Sequence, residues 1–540
     1  AEMESTSRDE FQNQYPGIPD CVDAYDSAAL DAGINDALKA LALKPNEDDP
    51  EHNYLIGIAY LEGIDVEVNT EYAVELITSA ANAEFPEAMG KLYRMYDEGD
   101  NIKLDYSEAL KWAQKLFDFY LNAKRENALA WLSNLATTYG KLGNYQMQLK
   151  LTEKEYSLLC EVLGEKNPIT ITLQNNLAGA YGNLGNYQKQ LELNEKTYAL
   201  SCEVLGEKNP NTLTSLNNLA MTYGNLGDYQ KQLELTEKAY SLMCEVLGEK
   251  NPDTLNSLTG LASAYGNICD YRKSLELTKK AHALKCEVLG EKNPSTLTSL
   301  NNLAYTYSIL GDYQKQLELA EKAYTLSCEV LDEKNPNILT SLDNLADACK
   351  NLGNYWKQLE LTEKTYALRC EVLGEKHPQT LTSLNHLMDA YGNIGDYQKQ
   401  LELAEKTYTL MCEVLGEKNS DTLKSLNSLA GAYDRLGNHQ KELELNEKAY
   451  NLSCKILGEK HPQTLSSLFI LAYTYGRLGN HQKELELSEK TYKLRFNVLG
   501  EKHQDTLRSL NSLALAYGYL GDYQKSLELL GKVYALQCEV

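Results

Sequence analysis

The chain of 540 residues carries 77 acidic against 52 basic side chains, a formal charge of -25 and a pI near 4.9. A surface that acidic repels phosphate, which excludes nucleic acid and anionic membrane as electrostatic partners. No apolar run reaches the roughly 18 residues that cross a bilayer.

The sequence opens AEMESTSRDE, with no basic-then-apolar leader and no initiator Met, and closes on CEV inside a phrase that elsewhere continues LGEK. Both ends read as cuts, so a piece of a longer protein is expected. Residues 1–48 carry Pro16, Gly17 and Pro19 and then one Ala/Leu-rich helix, DSAALDAGINDALKALAL. KPNEDDPE (44–51) is a polar break. Helical patterns follow in HNYLIGIAYLEG (52–63), YAVELITSAANAEFPEAMGKLYRMYDEG (72–99) and YSEALKWAQKLFDFYL (106–121). The phrases AYLEG, AVELITSAA, PEAMGKLYRMYDEG and DYSEALKWAQK resemble Sel1-like repeats, helix pairs related to tetratricopeptide repeats. The resemblance implies a segment 49–125 of paired helices brought close by small Ala and Gly residues.

From residue 126 to 540 one sentence recurs ten times: NPxTLTSLNNLAxxYGNLGDYQKQLELxEKAYxLxCEVLGEK. Tyr139, Tyr181, Tyr223, Tyr265 and Tyr307 stand 42 residues apart; Cys349 fills the next place, and Tyr391, Tyr433, Tyr475 and Tyr517 resume the series. Such a period means stacked supersecondary units. In the second unit Asn167 caps a helix that Pro168 begins. Leu173, Leu177, Tyr181 and Leu184 form one apolar stripe along it. Gly185 ends it in a left-handed turn and Asn186 opens a second helix, in which Tyr187, Leu191, Tyr198 and Leu205 are the apolar positions. The expected fold is all-α, a right-handed solenoid of stacked helical hairpins, the last one truncated.

The phrases LNNLAxxYGNLGxY and ExxxxxVLGEKxP resemble the 42-residue tetratricopeptide repeats of kinesin light chains. One position departs: the small Ala early in the second helix is Gln148, Gln190, Gln232, Gln316, Gln358 or Gln400, or else Ser274, Glu442, Glu484 or Ser526. Larger residues there are expected to alter the packing within each hairpin.

At about 100° per residue, Thr172, Asn175, Gly179, Gly182 and Asn183 lie opposite the apolar stripe. Repeated along the array they form two amide rows: Asn175, Asn217, Asn301, Asn385, Asn427 and Asn511, and Asn183, Asn225, Asn267, Asn351 and Asn393. An Asn amide offers donors and an acceptor to a peptide backbone whatever its sequence. The resemblance implies the same use, since related domains hold extended peptides with groove asparagines. Unit nine breaks the pattern with Phe469, Tyr473 and Arg477, beside Arg435, Lys424 and Arg508 of its neighbours. That patch suits an aromatic or carboxylate-bearing ligand. Asp343, Asp347, Asp389 and His386 make units six and seven acidic.

Catalytic signals are missing. GxxxxGK[ST], GxSxG and HExxH do not occur, and the eight histidines read as substitutions within the repeat. No CxxC pair supports zinc, and equivalent cysteines one repeat apart stand too far from one another for disulfides. Twelve reduced cysteines favour a cytoplasmic protein without cofactor or metal. The expected function is that of a non-enzymatic scaffold that binds a protein or peptide segment in its concave groove. The alternative is a regulatory arm of a larger effector protein, and a third reading is end-to-end self-assembly; the sequence does not set the oligomeric state.

Overall fold

The computed structural model describes residues 49–123, 127–331 and 335–539; the helix expected within residues 1–48 lies outside them. Among the described residues there are twenty-four helices and no strand, paired in sequence as hairpins, an all-α solenoid. No helix is long and apolar enough to cross a membrane. The chain divides into two compact units, one ending at Val162 and one beginning at Leu163.

The first unit pairs Pro50–Glu62 with Thr70–Asn82 and Pro86–Glu98 with Tyr106–Asn122, then adds hairpin 1, Asn127–Lys141 and Tyr145–Leu163. Alanines fill its core: Ala59, Ala73, Ala80, Ala88, Ala109 and Ala113 are all fully buried. Small residues let the helices close up. At Gly57 an added Cβ would sit 2.7 Å from Ile77 Cγ1, so only glycine permits that approach.

The second unit holds hairpins 2 to 10, from Pro168–Asn183 and Tyr187–Val204 to Gln504–Tyr519 and Tyr523–Glu539. Each first helix begins where a side chain accepts the backbone N–H two residues on. Asn167, Asn209, Asn251, Asn293, Asn335 and Asn419 use an amide oxygen. His377, His461 and His503 use Nδ1, at 3.1, 3.2 and 3.1 Å. These histidines therefore replace Asn as caps, because an unprotonated ring nitrogen is an acceptor like an amide oxygen.

The apolar stripe closes each hairpin on the next, and Leu213, Leu216, Leu255, Leu258, Leu384 and Leu426 are fully buried. First helices of successive hairpins lie nearer one another than second helices do. The stack therefore curves with the first helices inside. The anomalous Gln has its own partner: an added Cβ at Gly182, Gly224 or Gly392 would fall within 2.7 Å of Gln190, Gln232 or Gln400. A large residue on the second helix packs into the space a glycine leaves on the first.

The LGEK phrase ties neighbours together on the outside. Glu207 pairs with Lys238 of the next hairpin at 2.7 Å, Glu249 with Lys280 at 2.6 Å, and Glu417 with Lys448 at 2.7 Å. The following Lys does likewise, Lys292 with Glu329 at 3.0 Å and Lys376 with Glu413 at 2.9 Å. Single exposed pairs of this kind contribute little each, about 0–1 kcal/mol, but here they recur at almost every junction. The ladder tyrosines add a third tie: Tyr391 donates to Glu363 of the preceding hairpin at 2.7 Å and Tyr517 to Glu489 at 2.6 Å.

Successive turns of the superhelix touch. His461 Nε2 donates to the Asn225 carbonyl at 2.9 Å, across 236 residues, and its Nδ1 is already the cap acceptor, so the ring is neutral. Tyr271 and Gln504 meet at 3.5 Å, across 233 residues. At Gly227, with φ +79°, an added Cβ would fall 2.2 Å from Pro462 Cδ. The turn between the two helices of hairpin 2, 3 or 4 thus lies against the first-helix cap of hairpin 8, 9 or 10. Gly185 and Gly227 are buried by this seam, while Gly353, Gly395, Gly437 and Gly479 at the same position are exposed.

Gly353 has φ +78° and meets nothing, so it is the matched control for the seam. Gly227→Ala and Gly353→Ala both carry the left-handed Cβ penalty of about 1–2 kcal/mol. Gly227→Ala is expected to cost a further ~1–3 kcal/mol for overpacking, read from urea midpoints. Equal midpoints would show that the seam carries no stability.

The carboxylate partners push Tyr265, Tyr391 and Tyr517 up to about 12 from an ordinary 10.0. A group whose folded value is raised stabilises the fold fully below its unfolded value. The array should therefore hold this stability below pH 10 and lose it as pH rises through about 12. Tyrosinate absorbance should show a late-ionising class that disappears in urea.

Candidate functional site

The inner surface is the exposed stripe of the first helices. In hairpin 2 it runs through Thr172, Asn176, Gly179 and Asn183, and in hairpin 5 through Thr298, Asn302, Tyr305 and Ile309. Asn175, Asn217, Asn385 and Asn427 sit at the edge of that stripe, half-buried, and Asn301 is buried there.

Four of them already spend a donor inside the array. Asn175 Nδ2 donates to Ser215 Oγ at 3.1 Å, Asn301 to Ser341 at 3.3 Å and Asn427 to Ser467 at 3.2 Å, each time in the following hairpin. Asn217 donates to Met243 Sδ at 3.6 Å and accepts from Ser257 at 3.2 Å. The Oδ1 atoms of Asn175, Asn301, Asn385 and Asn427 are buried without a protein partner. One N–H of Asn175, Asn301 and Asn427 is thus spent inside the array and a second remains, while their oxygens and that of Asn385 meet no protein donor. A buried acceptor left unmade costs about 1–3 kcal/mol, so each of these oxygens gains from an N–H that reaches it once its side chain turns toward the inner face.

The second row is tied from the other side. Asn267, Asn351 and Asn393 donate to Gln232, Gln316 and Gln358 of the preceding hairpin, all at 2.9 Å. Asn225 gives its carbonyl to the seam. Asn183 also has a polar partner, and Asn511 is exposed.

The unit-nine cluster is internally engaged. Arg495, 3% exposed, lies over the half-buried Phe469 ring at 5.0 Å. Arg477 pairs with Asp434 and lies over Tyr473 at 5.9 Å. Arg435 lies over Tyr397 at 5.6 Å, Lys424 pairs with Asp421 at 2.9 Å, and Arg508 stands 3.6 Å from Asp505. Tyr473 is 54% exposed and is the aromatic face the cluster offers. In hairpin 6 the row residue is Asp343, and its partner is the buried Arg369 at 2.6 Å. The residue 26 places on thus matches the row residue in its own hairpin: Asn with Met, Asp with Arg, Phe with Arg.

A cleft of about 250 Å³ opens on the inner face between Pro294–Ile309 and Pro336–Asn351. Asn301, Asn302, Tyr305, Asn337, Ser341 and Asn344 line it, with Thr298 and Thr340 at its ends. Tyr305 is 62% exposed, and Asn301 below it is buried with its Oδ1 unpartnered. The walls are uncharged: amides, hydroxyls, one aromatic ring and Leu297. They suit a peptide backbone with an apolar side chain. Sequence periodicity put Asn301 on this face but passed over Asn302, Asn344, Asn176 and Asn218. The second Asn of each NN pair was the signal, since it falls three residues before the exposed 179, 221 and 305 positions.

Beside the cleft, His386 Nδ1 stands 3.6 Å from Asp343 Oδ1. Pairing with the Asp343 carboxylate raises the imidazole above its ordinary value, against burial, which lowers it. A raised histidine stabilises fully below its unfolded 6.5, and that contribution is lost as pH rises through the folded value. Titration of His386 by NMR should therefore give a midpoint above 6.5 that drops in Asp343→Asn.

A family model described as Tetratricopeptide repeat matches residues 169–245, 253–329 and 295–371, and a second of the same description matches 422–463 and 506–540. Among solved structures, the chain is similar to kinesin light chain nearly identical TPR-like repeats of Podosopora anserina. That match has 31% identity and a TM-score of 0.34, over 38% of this chain and 96% of that one. It is also similar to BtubC (BKLC) from P. vanneervenii, at 17% identity and a TM-score of 0.36, over 43% and 92%. No curated protein matches the sequence.

Proposed function

This chain belongs to the tetratricopeptide-repeat family, and we propose that it is a scaffold that clamps an extended peptide or protein segment against its inner face. The observation that carries the reading is the row of buried, unpartnered Asn oxygens at Asn175, Asn301, Asn385 and Asn427. These acceptors stand in hairpins 2, 5, 7 and 8, where backbone N–H groups of a bound segment pair with them. The cleft beside Asn301 and Tyr305 takes a side chain. Tyr473, Arg477 and Phe469 make the later hairpins a second place for an aromatic or acidic ligand segment, once Arg477 exchanges Asp434 for a ligand carboxylate.

The activity is binding, without chemistry, cofactor or nucleic acid. The Sel1-like reading of residues 49–125 and the ten-repeat division of 126–540 belong to the same proposal. So does a cytoplasmic setting, which rests on ten free cysteines among the described residues.

Selection from a displayed library of unstructured peptides, with the whole chain as bait, tests the reading. Peptides so found should bind Tyr305→Ala and Asn344→Ala about tenfold more weakly, a loss of about 1.4 kcal/mol, with unchanged thermal melting. Peptides that bind both variants as well as the unmodified chain would place recognition elsewhere.

A further inference from the structure

Hairpin 8 departs from the repeat at three places that converge in space. Asp434 stands where Gly182, Gly224, Gly392 and Gly476 occur, His439 where Tyr187, Tyr229 and Tyr397 occur, and Glu442 where Gln190, Gln232 and Gln400 occur. One oxygen or nitrogen of each lies within 4.8 Å of the other two. His439 Nδ1 is 3.3 Å from Asp434 Oδ1 and 3.4 Å from Glu442 Oε2. We propose that Asp434, His439 and Glu442 form a binding site for a first-row divalent cation, zinc by geometry.

The argument starts from charge. In hairpins 2, 3 and 7 this spot is a glycine under a neutral glutamine; here two carboxylates share it, and Glu442 is only 4% exposed. Asp434 lies in the last turn of Ser420–Arg435, at the negative end of the helix dipole. Two anions placed so close favour a cation, a place that Arg477 beside Asp434 fills in part. Zinc bonds of about 2.0–2.1 Å in tetrahedral array put ligand atoms about 3.3–3.4 Å apart; the two edges through His439 fall there, and the third, Asp434 to Glu442, lies within 4.8 Å. Imidazole with two carboxylates is a set that zinc accepts.

The surroundings orient the ligands. Thr474 Oγ1 donates to Glu442 Oε1 at 2.9 Å, and Asn446 Nδ2 donates to Thr474 at 3.0 Å. This relay aims the other oxygen, Oε2, at His439, as outer hydrogen bonds do around metal ligands. Arg477 now neutralises Asp434, and an arriving ion displaces its guanidinium. Hairpin 9 is a built-in control: His481 and Glu484 stand 2.8 Å apart, but Gly476 supplies no third ligand.

The test is titration of the whole chain with Zn²⁺ by calorimetry and with Co²⁺ by visible absorption. Asp434→Gly, His439→Tyr and Glu442→Gln each restore the letter of other repeats, so the variants keep the fold. One ion per chain is expected, with nitrogen and oxygen ligand bands, bound tenfold or more weakly by each variant and unchanged in Glu484→Gln. Arg477→Met should bind it more tightly. No ion retained at micromolar concentration would overturn the proposal. So would equal affinity in the three variants with sulfur-to-cobalt charge transfer, which would assign the ion to the thiols.

Discussion

The whole second unit depends on one interface, the burial of a leucine stripe on each hairpin by the next. A hairpin alone leaves Leu213, Leu216 and Leu219 or their equivalents uncovered; between two neighbours they are buried. At about 25 cal/mol per Å² of apolar surface, that closure outweighs any single ion pair outside it. Everything else is arranged so as not to disturb it. Glycine faces glutamine, the caps satisfy helix ends, and the LGEK charges sit on the rim where they remain hydrated. Stability in such an array is local and additive between neighbours, which is why near-identical repeats suffice.

Along the row at Asn175, Asn217 and Asn301, variation is compensated inside each hairpin. Where the row residue becomes Asp343, an arginine appears across from it, and where it becomes Phe469, an arginine is covered by the ring. Departures of this kind mark repacking of one hairpin against itself. The acceptor oxygens left over along the row are of another kind, since nothing within the chain meets them. The proposed clamp rests on that distinction.

The architecture was legible because a 42-residue period with Asn-Pro at one end and Gly at the turn allows little but stacked helical hairpins. Helix starts at Asn167 and turns at Gly185 could be read residue by residue, since capping and left-handed φ are local. The inner face was legible to within one residue. A helical wheel places Asn175 and Asn176 both away from the leucines, and only the neighbouring hairpin decides that Asn175 turns to Ser215 while Asn176 stays open. The bond from Asn351 to Gln316 was equally out of reach, because its partners come together only through stacking. The seam lay further off still: its partners are more than 230 residues apart, and their meeting depends on the small rotation accumulated at each junction.

That seam makes the array sensitive to its own length. A hairpin turn finds its partner six hairpins later, so a chain of six hairpins has no such pair and behaves as a simple stack. The seventh hairpin brings the first lateral bond, and each one after it adds another, turning a one-dimensional chain of neighbours into a coil whose windings support each other. Gain or loss of a whole repeat leaves this register intact, because every unit carries nearly the same turn and nearly the same cap. A partial repeat of any other size would misalign every later winding at once.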